Sequence, residues 1–347
     1  MKATKLWFLI VLGAGLLATS TAQAATSTAS SAQDGQTATV AESCPGGVTP
    51  AVAPTSISRI APDPGFDWKN TTDVAQLSQH GYAPRRPGQS VAQWVTTEQS
   101  SNIIGTLPMW SCPGVTAGLG MGYLQPNSQI WAGNAFETAL TSHAYNQSYL
   151  QYSVPTILPD HGAKANLAVW AGVGNEQLVQ AGTTQDVSAT GAITTRAFTE
   201  VFPYQPTLVP LGIYVAPGYL VQVEVWTTGP LDGWFEMWFT NSSNFITSTG
   251  VLHTKITSPS AIVPDSATWI AERITVNGTP LNLAQWSGTV NLTGQGWDSA
   301  TGTWWPAGQL PHYDWHMYNG STQIAYPAAW LDPPTYSDFP VYRTSAS

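Results

Sequence analysis

The chain has 347 residues, of which only 9% are charged, and it carries a formal net charge of −9. This balance excludes a nucleic-acid binder, because no basic stripe exists to neutralise phosphates. The length suits one large domain or two small ones with ample core, and 16 Trp with plentiful Gly, Pro, Ser and Thr is the composition of an extracellular all-β protein.

Lys2 and Lys5 precede an apolar run, Leu6 to Leu17, and Ala22-Gln23-Ala24 is a small-residue cleavage site. Residues 1–24 therefore read as a secretory signal rather than a membrane span, and no other stretch is apolar enough to cross a bilayer. Residues 25–120 read as a leader. Ala25 to Ser58 is rich in Ala, Thr, Ser and Pro and is expected to be loosely ordered. From Arg59 to Ser101, aromatic anchors (Phe66, Trp68, Tyr82, Trp94) and the Pro-flanked pair Arg85-Arg86 suggest a short helix and an extended segment. The basic pair is suited to docking on the acidic remainder. A prosegment and a permanent N-terminal extension both fit, and the prosegment is the preferred reading. Cys44 and Cys112 are the only cysteines; in a secreted chain they suggest a disulfide, with two unpaired thiols as the alternative.

From Tyr123 onward, short strand-like runs are punctuated by Gly, Pro, Asn and Ser at intervals near ten residues. Residues 121–347 are thus expected to form a two-sheet antiparallel β-sandwich of the concanavalin-like or jelly-roll kind. Leu220–Trp226 alternates Val221, Val223 and Val225 against Gln222, Glu224 and Trp226, and Trp234–Phe239 alternates in the same way. The sequence leaves open whether the aromatic tail, Gly294 to Ser347, packs on the sandwich or extends a binding surface.

Two stretches carry candidate chemistry. Around the turn Gly174-Asn175, residues 167–173 and 176–182 read as a hairpin that puts Leu178, Gln180 and Gly182 on one face. An amide there must be hydrogen-bonded or face a cleft, since an unpaired buried amide costs on the order of 1–3 kcal/mol; a core Gln with a backbone partner is the plain alternative. In Asp265–Ile274 a strand places Thr268, Ile270, Glu272 and Ile274 on one face. Burial among isoleucines raises a carboxyl pKa and makes Glu272 a proton-transfer candidate. The alternatives are a solvated Glu272, or one paired with Arg273 or Arg196.

The segments LVQAGTTQ and ATWIAERI resemble the two halves of the active site of the glutamic peptidases (eqolisins), acid endopeptidases known from fungi with bacterial and archaeal relatives. Gln129-Ile-Trp-Ala-Gly133, Tyr152-Ser-Val-Pro-Thr156, Ala168-Val-Trp-Ala-Gly172, Thr199-Glu-Val-Phe-Pro203 and Gly218–Val223 resemble further family segments in the same order. The likeness spans roughly residues 121 to 293. Thr268 stands where the family's EWIVE motif has its first Glu, the aromatic-rich segment around Glu200 is reduced, and the usual acidic residue near Val173-Gly174 is absent. The resemblance implies a catalytic dyad of Gln180 and Glu272 on adjacent strands of one concave face. In it Glu272 activates water and Gln180 donates to the oxyanion, with Trp131, Trp170, Phe198 and Glu200 contacting substrate. It also implies polypeptide substrates, a monomer, and no metal or organic cofactor.

Other sites weigh less. His312 and His316 are spaced for a helical metal site, but Pro311 and the aromatic surroundings argue against a helix. No GxSxG, Asp-Thr-Gly or Asp-Ser-Gly occurs. The rival reading is a glycan-active sandwich in which Glu236, between Trp234 and Trp238, works with Glu224 or Glu200, or a non-catalytic glycan-binding module. Residues 121–347 hold 14 acidic groups against 5 Lys and Arg, so most carboxylates lack a cationic partner. The fold is therefore expected to survive at acid pH, with activity peaking at roughly pH 2–4.

Overall fold

The computed structural model describes residues 58–99, 104–106, 127–159, 162–174, 177–202, 208–229, 231–255, 262–276, 279–332 and 335–344. The signal segment, Cys44 and Cys112 lie outside them. The strands that build the frame are β1 (Trp131–Glu137), β2 (Tyr145–Ser153), β3 (Ala165–Val173), β4 (Leu178–Val187) and β5 (Ile193–Phe202). They continue with β6 (Val209–Tyr214), β7 (Leu220–Trp226), β8 (Asp232–Thr240), β9 (Leu252–Lys255) and β10 (Ser266–Glu272). The last are β11 (Val290–Asp298), β12 (Tyr313–Asn319), β13 (Thr322–Pro327) and β14 (Asp338–Arg343).

The first sheet runs β6-β5-β4-β3-β10-β1-β12, antiparallel throughout. The second runs β9-β8-β7-β2-β11-β14, also antiparallel. Strand β12 belongs to both: Tyr313–Trp315 pairs with β1, while Met317–Asn319 pairs with β13, which leads to β14. The tail is therefore built into the sandwich and closes one of its sides, which settles what the sequence left open.

Period-2 alternation explains the layering. Val169, Ala171, Val179, Ala181 and Trp269 of the first sheet meet Val221, Val223, Phe235, Met237 and Leu150 of the second in one buried core. Few polar atoms cross it. The Tyr152 hydroxyl donates to the Val169 carbonyl at 3.1 Å and shares a hydrogen bond with Thr183, and the Trp269 indole donates to the Tyr149 carbonyl at 2.8 Å. These cross-links fix how the sheets lie on each other, because an unpaired buried donor would cost more than the bond returns.

The N-terminal segment folds on its own small cluster of Trp68, Leu77, Tyr82 and Trp94. It contains two short helices, α1 (Val74–Gln79, capped by Asp73) and α2 (Val91–Gln99). Among the described residues no helix is long and apolar enough to cross a membrane.

Gly182 shows how tightly the first sheet is drawn together. A Cβ there would lie 2.0 Å from the Val169 carbonyl oxygen and 2.7 Å from the Trp170 Cα, both backbone atoms that cannot swing away, whereas a Cβ at Gly229 meets nothing within 4 Å. Gly182→Ala should lower unfolding free energy by about 1–3 kcal/mol, and Gly229→Ala should leave it nearly unchanged. Denaturant unfolding of the two variants measures the difference.

Candidate active site

The outer face of the first sheet is read most simply as rows that run across the strands. Register aligns Glu200 (β5), Gln180 (β4), Gly172 (β3), Thr268 (β10), Ala135 (β1) and Tyr313 (β12) in one row. The next holds Phe198, Gly182, Trp170, Ile270, Gly133 and Trp315. The third holds Arg196, Thr184, Ala168, Glu272 and Trp131.

Gln180 and Glu272 thus share a face, as the sequence implied, but the structure does not bring them together. They are not on adjacent strands, because β3 lies between β4 and β10. The four-residue offset between their rows is also about 13 Å of strand. What touches Gln180 is Glu200: the amide nitrogen donates to the Glu200 carboxylate. Gln180 is 5% exposed, and its amide oxygen is buried with no hydrogen-bond partner. The plain alternative, a core Gln held by backbone, does not describe this side chain. Across Gly172 the residue facing Gln180 is Thr268, whose hydroxyl donates to the Gly172 carbonyl at 3.2 Å.

Glu272 is half-buried between Ile270 and Ile274, and the Trp170 indole donates to its carboxylate at 2.6 Å. Burial pushes its pKa up to about 7, against the pull of Trp170 and Trp131. Neither arginine considered from sequence pairs with it. Arg196 binds Asp186 at 2.5 Å, and Arg273 donates to the carbonyls of Gln129 and Tyr318.

The middle row separates the two carboxylates. Trp170 and Phe198 are fully buried and Trp131 nearly so; they pack with Ile270, Leu178 and Trp315 in a second apolar cluster. Trp131 meets Trp170 and Trp315 edge to face at centroid distances of 5.4 and 5.8 Å. The aromatics expected to contact substrate are thus wall, not open platform, and the partly exposed polar groups are Glu200 and Glu272 on either side of it. Gly172 makes room for this wall, since a Cβ there would approach the Trp170 ring to 2.9 Å and the Leu178 side chain to 2.8 Å. Sequence reasoning ranked Glu200 as a substrate contact. Its cross-strand position opposite Gln180 was hidden until the β4/β5 register was known.

The rival glycan site lies elsewhere. Glu224 and Glu236 face each other across β7 and β8 on the outer face of the second sheet, and Glu200 belongs to the first sheet. Arg86 of the N-terminal segment binds both of these glutamates, so the carboxylates that a glycosidase would use are already occupied by a bridging cation. His312 and His316 also part company: His312 lies 3.3 Å from Asp314, and His316 contacts Gln323.

The sequence model of the peptidase A4 family matches residues 129–333. The chain belongs to the peptidase A4 family. It is a glutamic-type endopeptidase by that membership, and the match reaches further into the tail than the motif likeness over residues 121 to 293. No curated protein matches the sequence. Similar solved structures include scytalido-glutamic peptidase with a peptide-based transition-state analogue (14% identity, TM-score 0.48) and the eqolisin SCP-B in complex with the tripeptide Ala-Ile-His (13%, TM-score 0.46). Each covers 62% of this chain and 98% of its own.

For this A4 peptidase, the site makes a pH prediction. Glu272 and the buried Glu137, the latter raised by burial and by the nearby Asp265, both move from the ordinary glutamate value of 4.5 up to about 7. A carboxyl with a raised native pKa binds its proton more tightly folded than unfolded. The stability this gives is fully present below pH 4.5 and is lost as pH rises from there to about 7. The melting temperature should therefore fall between pH 4.5 and 7.5. Glu272→Gln and Glu137→Gln should each flatten that slope, as read by calorimetry across the range.

Proposed function

We propose that this A4 peptidase hydrolyses peptide bonds on the outer face of its first sheet, with Gln180 and Glu200 as the reacting pair. The observation that carries the reading is the direct hydrogen bond from the Gln180 amide to the Glu200 carboxylate, beside an amide oxygen that no protein group satisfies. A water bound beside this pair would lose a proton to Glu200 as it attacks the scissile carbonyl. Gln180 has two N–H donors; one holds Glu200 and the other is available to the oxyanion. Glu200 then returns its proton to the leaving nitrogen. That transfer weakens above the carboxyl range, which supports action at acid pH.

A second assignment keeps Glu272 as the proton-transfer carboxyl for Gln180, as the motif resemblance implies, and its raised pKa favours it. The row geometry speaks for Glu200. The sequence features further support secretion after loss of residues 1–24, action on polypeptides as a monomer, and a leader removed in processing. The described part of that leader lies on the second sheet, away from Gln180, so in this reading it stabilises the sandwich without blocking the face.

Gln180→Ala should lower kcat on a fluorogenic peptide at pH 3–4 by roughly 100- to 1,000-fold, the usual cost of one oxyanion donor. Glu200→Gln should abolish turnover, while Glu272→Gln should keep kcat within about tenfold and change mainly stability against pH. The opposite pattern, Glu272→Gln dead and Glu200→Gln active, transfers the role to Glu272.

A further inference from the structure

The outer face of the second sheet carries a polar cluster that peptide hydrolysis on the first sheet does not use. Glu224 on β7 and Glu236 on β8 are directly opposed, and Glu236 is only 4% exposed. Two like charges in that register repel each other, and in a chain so poor in basic residues few groups can offset them. Arg86 does so. One guanidinium nitrogen reaches Glu224 at 2.5 Å and another reaches Glu236, while the guanidinium carbon lies 4.9 Å from the Trp226 ring centroid and 5.4 Å from that of Trp238. The Arg86 side chain is 13% exposed. Ser248 adds a hydrogen bond to Glu236 at 3.4 Å.

The surroundings are built to match. Trp226 stacks on Trp234, which stacks on His253 at 4.0 Å, and Ala83 of the N-terminal segment closes over the tryptophans. Beyond Arg86 the segment bridges a cavity of about 420 Å³ lined by Arg85, Gln89, Asn146, Thr228 and Trp297. Gly88 crosses there against the Trp297 ring with φ +72°, where a Cβ would come within 2.7 Å of it. The arginine is thus held in a shaped, aromatic-walled carboxylate fork, with open space beside it.

We propose that Glu224, Glu236, Trp226 and Trp238 form a guanidinium-recognition socket, filled in this chain by its own Arg86, and that the socket takes the arginine side chain of another polypeptide when the N-terminal segment is out. Two carboxylates flanking a planar cation, with two indole rings 4.9 and 5.4 Å from its central carbon, select a guanidinium over an ammonium, because only the planar fork can both bridge two acceptors and stack. The inference is independent of which carboxyl performs hydrolysis.

The test uses the full chain with Arg86→Ala. Removing the cation leaves the two carboxylates opposed and partly buried, so the melting temperature should fall by roughly 5–15 °C. Arginine amide at roughly 1–50 mM should restore much of that loss and bind with a Kd of about 1–10 mM. Lysine amide at the same ionic strength should not, and neither wild type nor Arg86→Ala/Glu236→Gln should respond. Overturning results are no response of folded Arg86→Ala to arginine amide, an equal response to lysine amide, or an equal response of wild type. If Arg86→Ala does not accumulate as folded protein, Arg86→Lys keeps the charge without the fork. Arginine amide should then raise the melting temperature of Arg86→Lys, and failure to do so overturns the socket equally.

Discussion

One buried indole governs what the outer face of the first sheet can do. Trp170 lies at the centre of the middle row, fully buried, with Gly182 beneath its backbone and Gly172 beside its ring. Its Nε1 is committed to Glu272. The indole therefore does three things at once: it supplies the apolar mass of the second cluster, it helps to desolvate Glu272, and it stands between that carboxyl and the Gln180–Glu200 pair. The two glycines follow from this. Only a strand without side chains at those points lets so large a residue pack this closely against the sheet.

Scarcity of positive charge shapes the rest of the molecule. With few cations to pair with, the sandwich disposes of its carboxylates by other means. Glu137, buried, and Glu272, half-buried, are held nearer to neutrality, with pKa values near 7. Asp298, despite burial that pushes its pKa up, is brought down by hydrogen bonds from Thr301 and the Ala300 amide and by His143. Glu224 and Glu236 share the one guanidinium that the N-terminal segment delivers. The first two solutions respond to acid in opposite senses. The first gains stability as protons bind, while groups like Asp298 lose it at still lower pH. A stability maximum on the acid side of neutrality is the natural consequence.

Much of the architecture was legible along the chain. Alternation in Leu220–Trp226, Trp234–Phe239 and Asp265–Ile274 gave the correct face for every residue discussed, because side chains in a strand alternate with a period that local sequence preserves. The hairpin around Gly174 was readable from its turn residues, and the aromatic anchors of the N-terminal segment from their spacing. The paired motifs pointed to the glutamic peptidases. The partnership of Gln180 was not legible. A motif records which residues are present, whereas the neighbour of Gln180 depends on strand order and register, and a strand inserted between two others adds nearly 5 Å while a four-residue offset adds about 13 Å.

The sequence by itself determined the strand pattern, the inward and outward faces, the acidic balance and the family, since each depends on local periodicity, composition or the order of short segments. Only the tertiary structure decided that Glu200 and not Glu272 touches Gln180, that the tail strand β12 joins the two sheets, and that Arg86 sits between Glu224 and Glu236. Gln180 and Glu200 lie on consecutive strands, whereas the other partners come from distant segments. Their meeting is set by register across a sheet and by packing between layers, quantities that no stretch of chain specifies alone.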